Sequence, residues 1–432
     1  MGKKSMDGDR YAQFTEAYRN LNLFPLVKAD EIERFRVAYG ERARLRLEDE
    51  ILAMEADGKL IFTGHRGCGK STLLNQLARN LRQQNLFVAS FSIADMVEMS
   101  DVNHINILYS IALKLLSQAT KRQVPIPEGT KNALLNWFSQ TKSRTYSEQL
   151  KQELSAGVNI FDFFTGKLQK EGAFREEIKE TYERRVSELS QQIDRIAIAI
   201  QSTTKKEVLV IIDDLDKLDL AVVESIFQDN IKALFSPNIR VVFTIPIAVV
   251  REPRLLATLE SESRISLLSV TKFFTQDVAH QPEAEPIEKN VQMLQRVLEK
   301  RIAADLVEGD ILRQIVLLSG GVLRELVRLG QECCRECMLE LRLNPEVTDL
   351  KINAEILTAA VKSLRNQFAR PLGSNLYGLL VETYKQFTPP DAKSDAFLEM
   401  LHGLYVLEYE NDDLWYDLHP LVADLLRRKD LI

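Results

Sequence analysis

Eight consecutive residues, Gly64-His65-Arg66-Gly67-Cys68-Gly69-Lys70-Ser71, match the spacing glycine, any four residues, glycine, lysine, serine or threonine at every fixed position. The pattern has a chemical reason. Glycines let successive backbone N–H groups converge on phosphate oxygens, and a helix amino end adds positive potential to the same place. Lys70 supplies an ammonium to neutralise the β and γ phosphates, and Ser71 offers a hydroxyl to Mg²⁺. Gly64 through Thr72 is therefore the expected binding segment for ATP or ADP, with Mg²⁺ as the accompanying ion. A glycine-rich turn without a ligand is the plainer alternative, and the flanking segments argue against it. A second constellation lies downstream. Val208 to Ile212 is an apolar run that delivers Asp213 and Asp214 to its end, where an unpaired carboxylate is costly without a cation. Asp213 is the expected metal-side carboxylate, and Asp214 the group that orients or deprotonates an attacking water. Asp216 is read as part of a surface turn.

The elements that hold these residues can be read from periodicity. Lys59-Leu60-Ile61-Phe62-Thr63 is a short strand that ends at glycine, and Ser71 onward has helical spacing, so the order is strand, loop, helix. Leu86 to Phe91, Val208 to Ile212 and Arg240 to Thr244 give further strands. Their continuous apolarity predicts parallel strands buried on both faces, with helices as crossovers. Between the second and third strands runs an insertion from about Lys121 to Lys206. It ends in what reads as one long helix, with an apolar stripe of Phe174, Ile178, Tyr182, Val186, Leu189, Ile193, Ile196 and Ile200. That stripe needs a partner surface, and one within the chain is expected. Phe161, Phe163 and Phe164 are read as packing residues rather than as a base-stacking loop, since a sustained basic groove is missing around them.

The predicted division is an N-terminal helical segment over 1–58, a core over 59–278 with the insertion 121–206, a helical lid over 288–370, and a terminal domain over 374–432. Helices broken at Ser319-Gly320-Gly321 and Asn344-Pro345 make the lid. In the last segment two helices precede the strands Tyr405–Tyr409 and Leu414–Leu418 around an Asn411-Asp412-Asp413 turn, which suggests a winged helix.

Taken together, TGHRGCGKST, VLVIIDDLDKL, RVVFTIP and SGGVLRELVRL resemble the AAA+ and STAND ATPases, particularly a bacterial branch similar to origin-recognition ATPases, from about Leu21 to the C-terminus. The fold class this implies is α/β: a P-loop NTPase with a parallel sheet flanked by helices, then a helical lid and a C-terminal winged helix. The resemblance makes Thr244 a sensor beside the γ-phosphate, Arg324 the lid's sensor arginine, and Arg264 an arginine finger that reaches a neighbouring subunit. Arg251 and Arg254 are alternatives for the finger. It also places Phe24, Pro25 and Leu26 at an adenine pocket. The long insertion departs from the family pattern.

Composition narrows the function classes. The 432 residues carry 56 Lys and Arg against 62 Asp and Glu, a formal charge of −6, with 45% apolar residues; this is an ordinary globular composition with no global positive field. Residues 374–432 hold five basic residues against eleven acidic ones, which disfavours a phosphate-binding face there. That segment is expected to contact protein, including the chain's own ATPase module. Four cysteines, Cys68, Cys333, Cys334 and Cys337, are too few and too clustered for a secreted disulfide framework. No apolar run approaches the ~20 residues of a membrane span, so a cytoplasmic location is expected. His65, His104, His280, His402 and His419 lack metal-ligand spacing, and His65 is read as a residue that helps shape the phosphate loop or, at least as readily, as a solvated loop residue.

The expected function is an ATP-binding, Mg²⁺-dependent ATP-hydrolysing switch that couples nucleotide state to self-assembly or to a protein partner, with no membrane role. Bacterial proteins of the architecture it resembles occur in signalling and phage-defence settings. A DNA-associated initiator or remodeller and a non-hydrolysing scaffold are the alternatives.

Overall fold

The computed structural model of the chain describes residues 7–127, 129, 160–410 and 413–432. It comprises two compact units. One contains Arg42–Thr63 and Leu73–Leu267; the other contains Met1–Glu41, Gly64–Thr72 and Leu268–Ile432.

The first unit is built on a five-stranded sheet of order β2-β3-β4-β1-β5, with β1 at Lys59–Gly64, β2 at Leu86–Ser92, β3 at Glu207–Asp213, β4 at Arg240–Pro246 and β5 at Arg264–Leu268. Strand β3 pairs in parallel with β2 (Phe87 opposite Val208, Ser92 opposite Asp213) and with β4 (Val210 opposite Val241). Every residue of β1 and β4 is buried, which is why these strands read as unbroken apolar runs. The amino ends of the strands are tied by cations. Lys59 donates from Nζ to the Pro237 and Ile239 carbonyls at 3.0 and 3.1 Å, and burial pushes its ammonium down to about 8. Arg240 donates to the Met54 carbonyl at 2.7 Å and pairs with Glu207.

The helix His104–Lys121 follows β2, capped by Asn103, whose side chain accepts from the Ile105 and Asn106 amides. The apolar stripe of the insertion packs against this helix, within the chain. It is carried by two helices, Gly172–Tyr182 and Val186–Thr204, rather than the single one predicted. Length explains the difference: one rod over 172–204 would run about 50 Å, roughly twice the span of its 18-residue partner. A break after Tyr182 lets both halves reach the same surface. Tyr109 meets Phe174 edge-on at 6.3 Å and Tyr182 at 6.5 Å. Phe164 stacks on Phe174 at 6.1 Å, and Phe163 and Phe164 are buried, so these two rings have the packing role expected of them. The Phe161 side chain and residues 130–159 of the insertion lie outside the described residues.

The second unit is mostly helical. Glu288–Glu299, Ile311–Leu318, Leu323–Leu343 and Ala354–Ala369 are helices within 288–370, the segment read above as a lid and called so below. Gly320 and Gly321, with φ of +60° and +80°, turn the chain into the Leu323 helix. That helix packs on the N-terminal helix Asp7–Asn20. Cys333, Cys334 and Cys337 are fully buried on it, and burial raises all three thiols, Cys334 to about 12.

Further on, Tyr377–Gln386 and Asp395–His402 are the two expected helices. Strands β6 (Val406–Glu410) and β7 (Leu414–Leu418) form an antiparallel hairpin, with Glu408 opposite Tyr416. Its turn residues Asn411 and Asp412 lie outside the described residues. A closing helix, Pro420–Arg427, was not foreseen; His419 caps it by accepting from the Leu421 amide at Nδ1, 3.2 Å. Arg365 bonds Asp424 at 2.6 Å and so ties this helix to the lid. His280, isolated in sequence, bonds Asp417 of β7 at 3.0 Å and stacks on Tyr384.

Candidate nucleotide-binding site

The glycine-rich segment leaves β1 at Gly64 and enters the helix Lys70–Gln83. Gly64, Gly67 and Gly69 have φ of +152°, +80° and +100°, conformations that side chains with a Cβ adopt at a cost. Packing also demands glycine here. A Cβ on Gly67 would lie 2.5 Å from the Arg324 Cβ, and one on Gly69 would lie 2.9 Å from Leu323 Cδ1 and 3.5 Å from the Tyr39 ring. The Arg324 amide donates to the Gly67 carbonyl at 3.0 Å. The start of the Leu323 helix therefore rests on the loop backbone, which puts Arg324 beside the loop.

Lys70 is buried and donates from Nζ to the Gly64 and His65 carbonyls at 2.7 and 2.9 Å. The loop's own carbonyls thus fix the ammonium at its centre. Cys68 is buried too, with Sγ 4.0 Å from Lys70 Nζ. Of the two readings of His65, the solvated one does not hold. It is 1% exposed, and its Nε2 accepts the Glu408 amide at 2.8 Å. Ser71 and Thr72 occupy the first turn of the helix, and Thr72 Oγ1 accepts the Leu26 amide at 3.4 Å. That bond tethers the Phe24-Pro25-Leu26 turn to the loop, while the Phe24 ring itself is 78% exposed. Burial raises the Tyr39 phenol above its ordinary value.

In the unit that holds the sheet, Asp213 closes β3. Its Oδ1 accepts the Asp214 amide at 2.8 Å, and Asp214 adopts φ of +70°. Asp214 is held at both oxygens: Ser92 at the end of β2 donates to Oδ2 at 2.6 Å, and Lys217 pairs with Oδ1 at 2.5 Å. Asp216 is buried, not on a surface turn as predicted, because the 3₁₀ turn Leu215–Lys217 folds inward. Oxygens of Asp213, Asp214 and Asp216 lie within 4.8 Å of one another, an all-oxygen donor set that suits a hard divalent cation. Thr244, fully buried in β4, donates to the Ile212 carbonyl at 3.3 Å and accepts the Leu215 amide at 3.1 Å. Its hydroxyl thus braces the turn that carries the three aspartates. Arg264, the first residue of β5, is exposed.

Ser92, Lys217, Tyr39, Leu323 and Glu408 were missed by sequence reasoning. Lys217 follows Asp214 by one helical turn, a pair readable from spacing. Nothing in the local pattern marks the other four, which reach their positions through tertiary packing.

Residues 51–245 match the family model of the KAP family P-loop domain. The matched segment runs from before β1 into β4 and contains both the glycine-rich segment and the acidic end of β3. Fold and motif agree: the chain has a P-loop NTPase fold with a five-stranded parallel sheet flanked by helices and a helical C-terminal region. It is also similar in structure to Cdc6p from Pyrobaculum aerophilum, at 11% identity over 94% of this chain and 97% of that one, TM-score 0.39. A Thermotoga maritima RuvB variant aligns at 13% identity over 95% and 99%, TM-score 0.38. Drosophila ORC bound to DNA aligns at 12% identity over 96% and 92%, TM-score 0.37. No curated protein matches the chain by sequence. No helix among the described residues is long and apolar enough to cross a membrane.

Proposed function

We propose that this chain is an ATP-binding, Mg²⁺-dependent ATP-hydrolysing switch that couples nucleotide state to self-assembly or to binding of a protein partner. One observation carries the reading: three glycines of positive φ surround a buried Lys70 ammonium at the start of a helix. Such a loop presents amides and one cation to a polyanion.

In this proposal Gly64 through Thr72 bind the phosphates, and Lys70 neutralises the β and γ groups. Ser71 and Asp213 hold Mg²⁺, which when bound screens phosphate charge and polarises the γ group. Asp214 orients the attacking water and takes its proton. The hydrogen bond from Ser92 and the ion pair with Lys217 fix that carboxylate's direction. Thr244 keeps the aspartate turn in place, Arg324 answers to the γ-phosphate from the lid, and Arg264 acts on a neighbouring copy. Phe24, Pro25 and Leu26 offer an apolar face to the base.

Phosphate release measured with malachite green tests this reading. Wild type should release phosphate with ATP and Mg²⁺, while Lys70→Ala and Asp214→Asn should fall to background. Equal background rates in all three would reject hydrolysis.

A further inference from the structure

The C-terminal hairpin touches the glycine-rich loop at one polar point. In β6–β7, Glu408 lies opposite Tyr416, and the Tyr416 amide donates outward to the Phe387 carbonyl at 2.9 Å. The pair is therefore one whose amides face away from the ladder, as alternate pairs in an antiparallel sheet do. The Glu408 amide points to the other side and is taken by His65 Nε2 at 2.8 Å. Glu408 is 2% exposed and His65 1%. An imidazole nitrogen that accepts a backbone amide carries a lone pair, so its partner cannot be lost without leaving a buried donor unmet.

The hairpin is seated on the lid by the neighbouring residues. Tyr409 donates from its hydroxyl to the Gly320 carbonyl at 2.9 Å. A Cβ on Gly320 would lie 2.6 Å from Leu407 Cδ1 and 2.9 Å from Pro420 Cδ. The lid in turn grips the loop through the Arg324 amide on Gly67. Loop, lid and hairpin close a ring of three contacts, and the His65 side chain bonds the hairpin backbone. The same residue's carbonyl holds Lys70 Nζ, so the ring and the carbonyl of His65 link the hairpin to the ammonium through a single residue.

We infer that His65 is a positioning residue through which the seated hairpin gates nucleotide exchange at the loop. The gate rests on the nucleotide-binding reading above and adds its regulation. Any rearrangement of the loop that turns the His65 ring strips the Glu408 amide of its acceptor, so passage of nucleotide in either direction requires the hairpin to loosen. By reciprocity, nucleotide that holds the loop still must also hold the hairpin.

Chase of bound fluorescent ADP from the full chain by excess ATP tests the gate, with hydrogen exchange at residues 406–410 as a second readout. His65→Leu should release nucleotide roughly tenfold faster, the scale of one buried hydrogen bond, and the Glu408 amide should lose protection. His65→Gln, whose Oε1 can accept the same amide, should restore slow release and protection; a merely structural role would not show that rescue. Tyr409→Phe loosens the hairpin from the lid side and should accelerate release by a smaller factor, and it decides the matter if His65→Leu does not fold. Release rates equal to wild type in the folded variants would overturn the gate while leaving nucleotide binding intact. If wild type binds neither ADP nor ATP, the gate and the function fall together.

Discussion

Gly67 combines two demands, a φ of +80° and a backbone pressed against Arg324. Gly67→Ala should cost about 2 kcal/mol or more, because the left-handed strain adds to a 2.5 Å approach that backbone would have to yield to. A thermal melt checks this, and an unshifted midpoint would show that the loop does not need the Arg324 contact. His419 supplies a pH test. Burial first, and then the nearby Arg328 charge, push its imidazole down to about 3. In the unfolded chain the ring titrates near 6.5. Between these values the unfolded state binds a proton that the folded state refuses, so stability is intact above about pH 6.5 and declines as pH falls towards 3. His419→Asn, which keeps an acceptor for the Leu421 amide, should flatten that decline in urea midpoints measured from about pH 7 to 4; an unchanged slope would assign the acid sensitivity elsewhere. At this scale the sequence was informative for Gly64 to Ser71 and Asp213, where a motif fixes neighbours along the chain. It was silent on the partners of His65 and Ser92, which lie 343 and 122 positions away.

Strands were the most legible elements, since burial on both faces leaves an unbroken apolar run that no helix of that length would show. The insertion was half legible. Its stripe spacing was right, yet the break after Tyr182 has no proline or glycine to announce it and follows only from the length of the helix it covers. Two helices sharing one surface make a simple expectation. Ile178→Ala and Ile193→Ala, one on each half and both fully buried, should each cost roughly 2–4 kcal/mol. Ile198→Ala, on the exposed side of the second half at 64% exposure, should stay within about 0.5 kcal/mol. Urea unfolding of the three variants separates the faces, and similar losses for all three would mean the stripe is not core. The helix Pro420–Arg427 escaped sequence reading because a histidine caps it in place of the usual Ser, Thr, Asp or Asn.

For the chain as a whole, composition excluded classes of protein without choosing a function. The grouping of the glycine-rich loop with the lid and hairpin in one compact unit was invisible in sequence, where the loop ends at Thr72 and the first lid helix begins only at Glu288. Self-assembly is the molecular-scale expectation. Light scattering with ATP and Mg²⁺ should show a larger species than without, and Arg264→Ala should lower turnover while leaving ATP affinity near that of wild type. Unchanged turnover at high protein concentration would remove Arg264 from the reaction. The tie between β6 and the loop has a further consequence. Its donor belongs to the main chain, so the identity of the side chain at position 408 does not enter the bond itself, and only proline would remove the donor. A collection of diverged sequences would display no covariation between positions 65 and 408 even if every member kept the device.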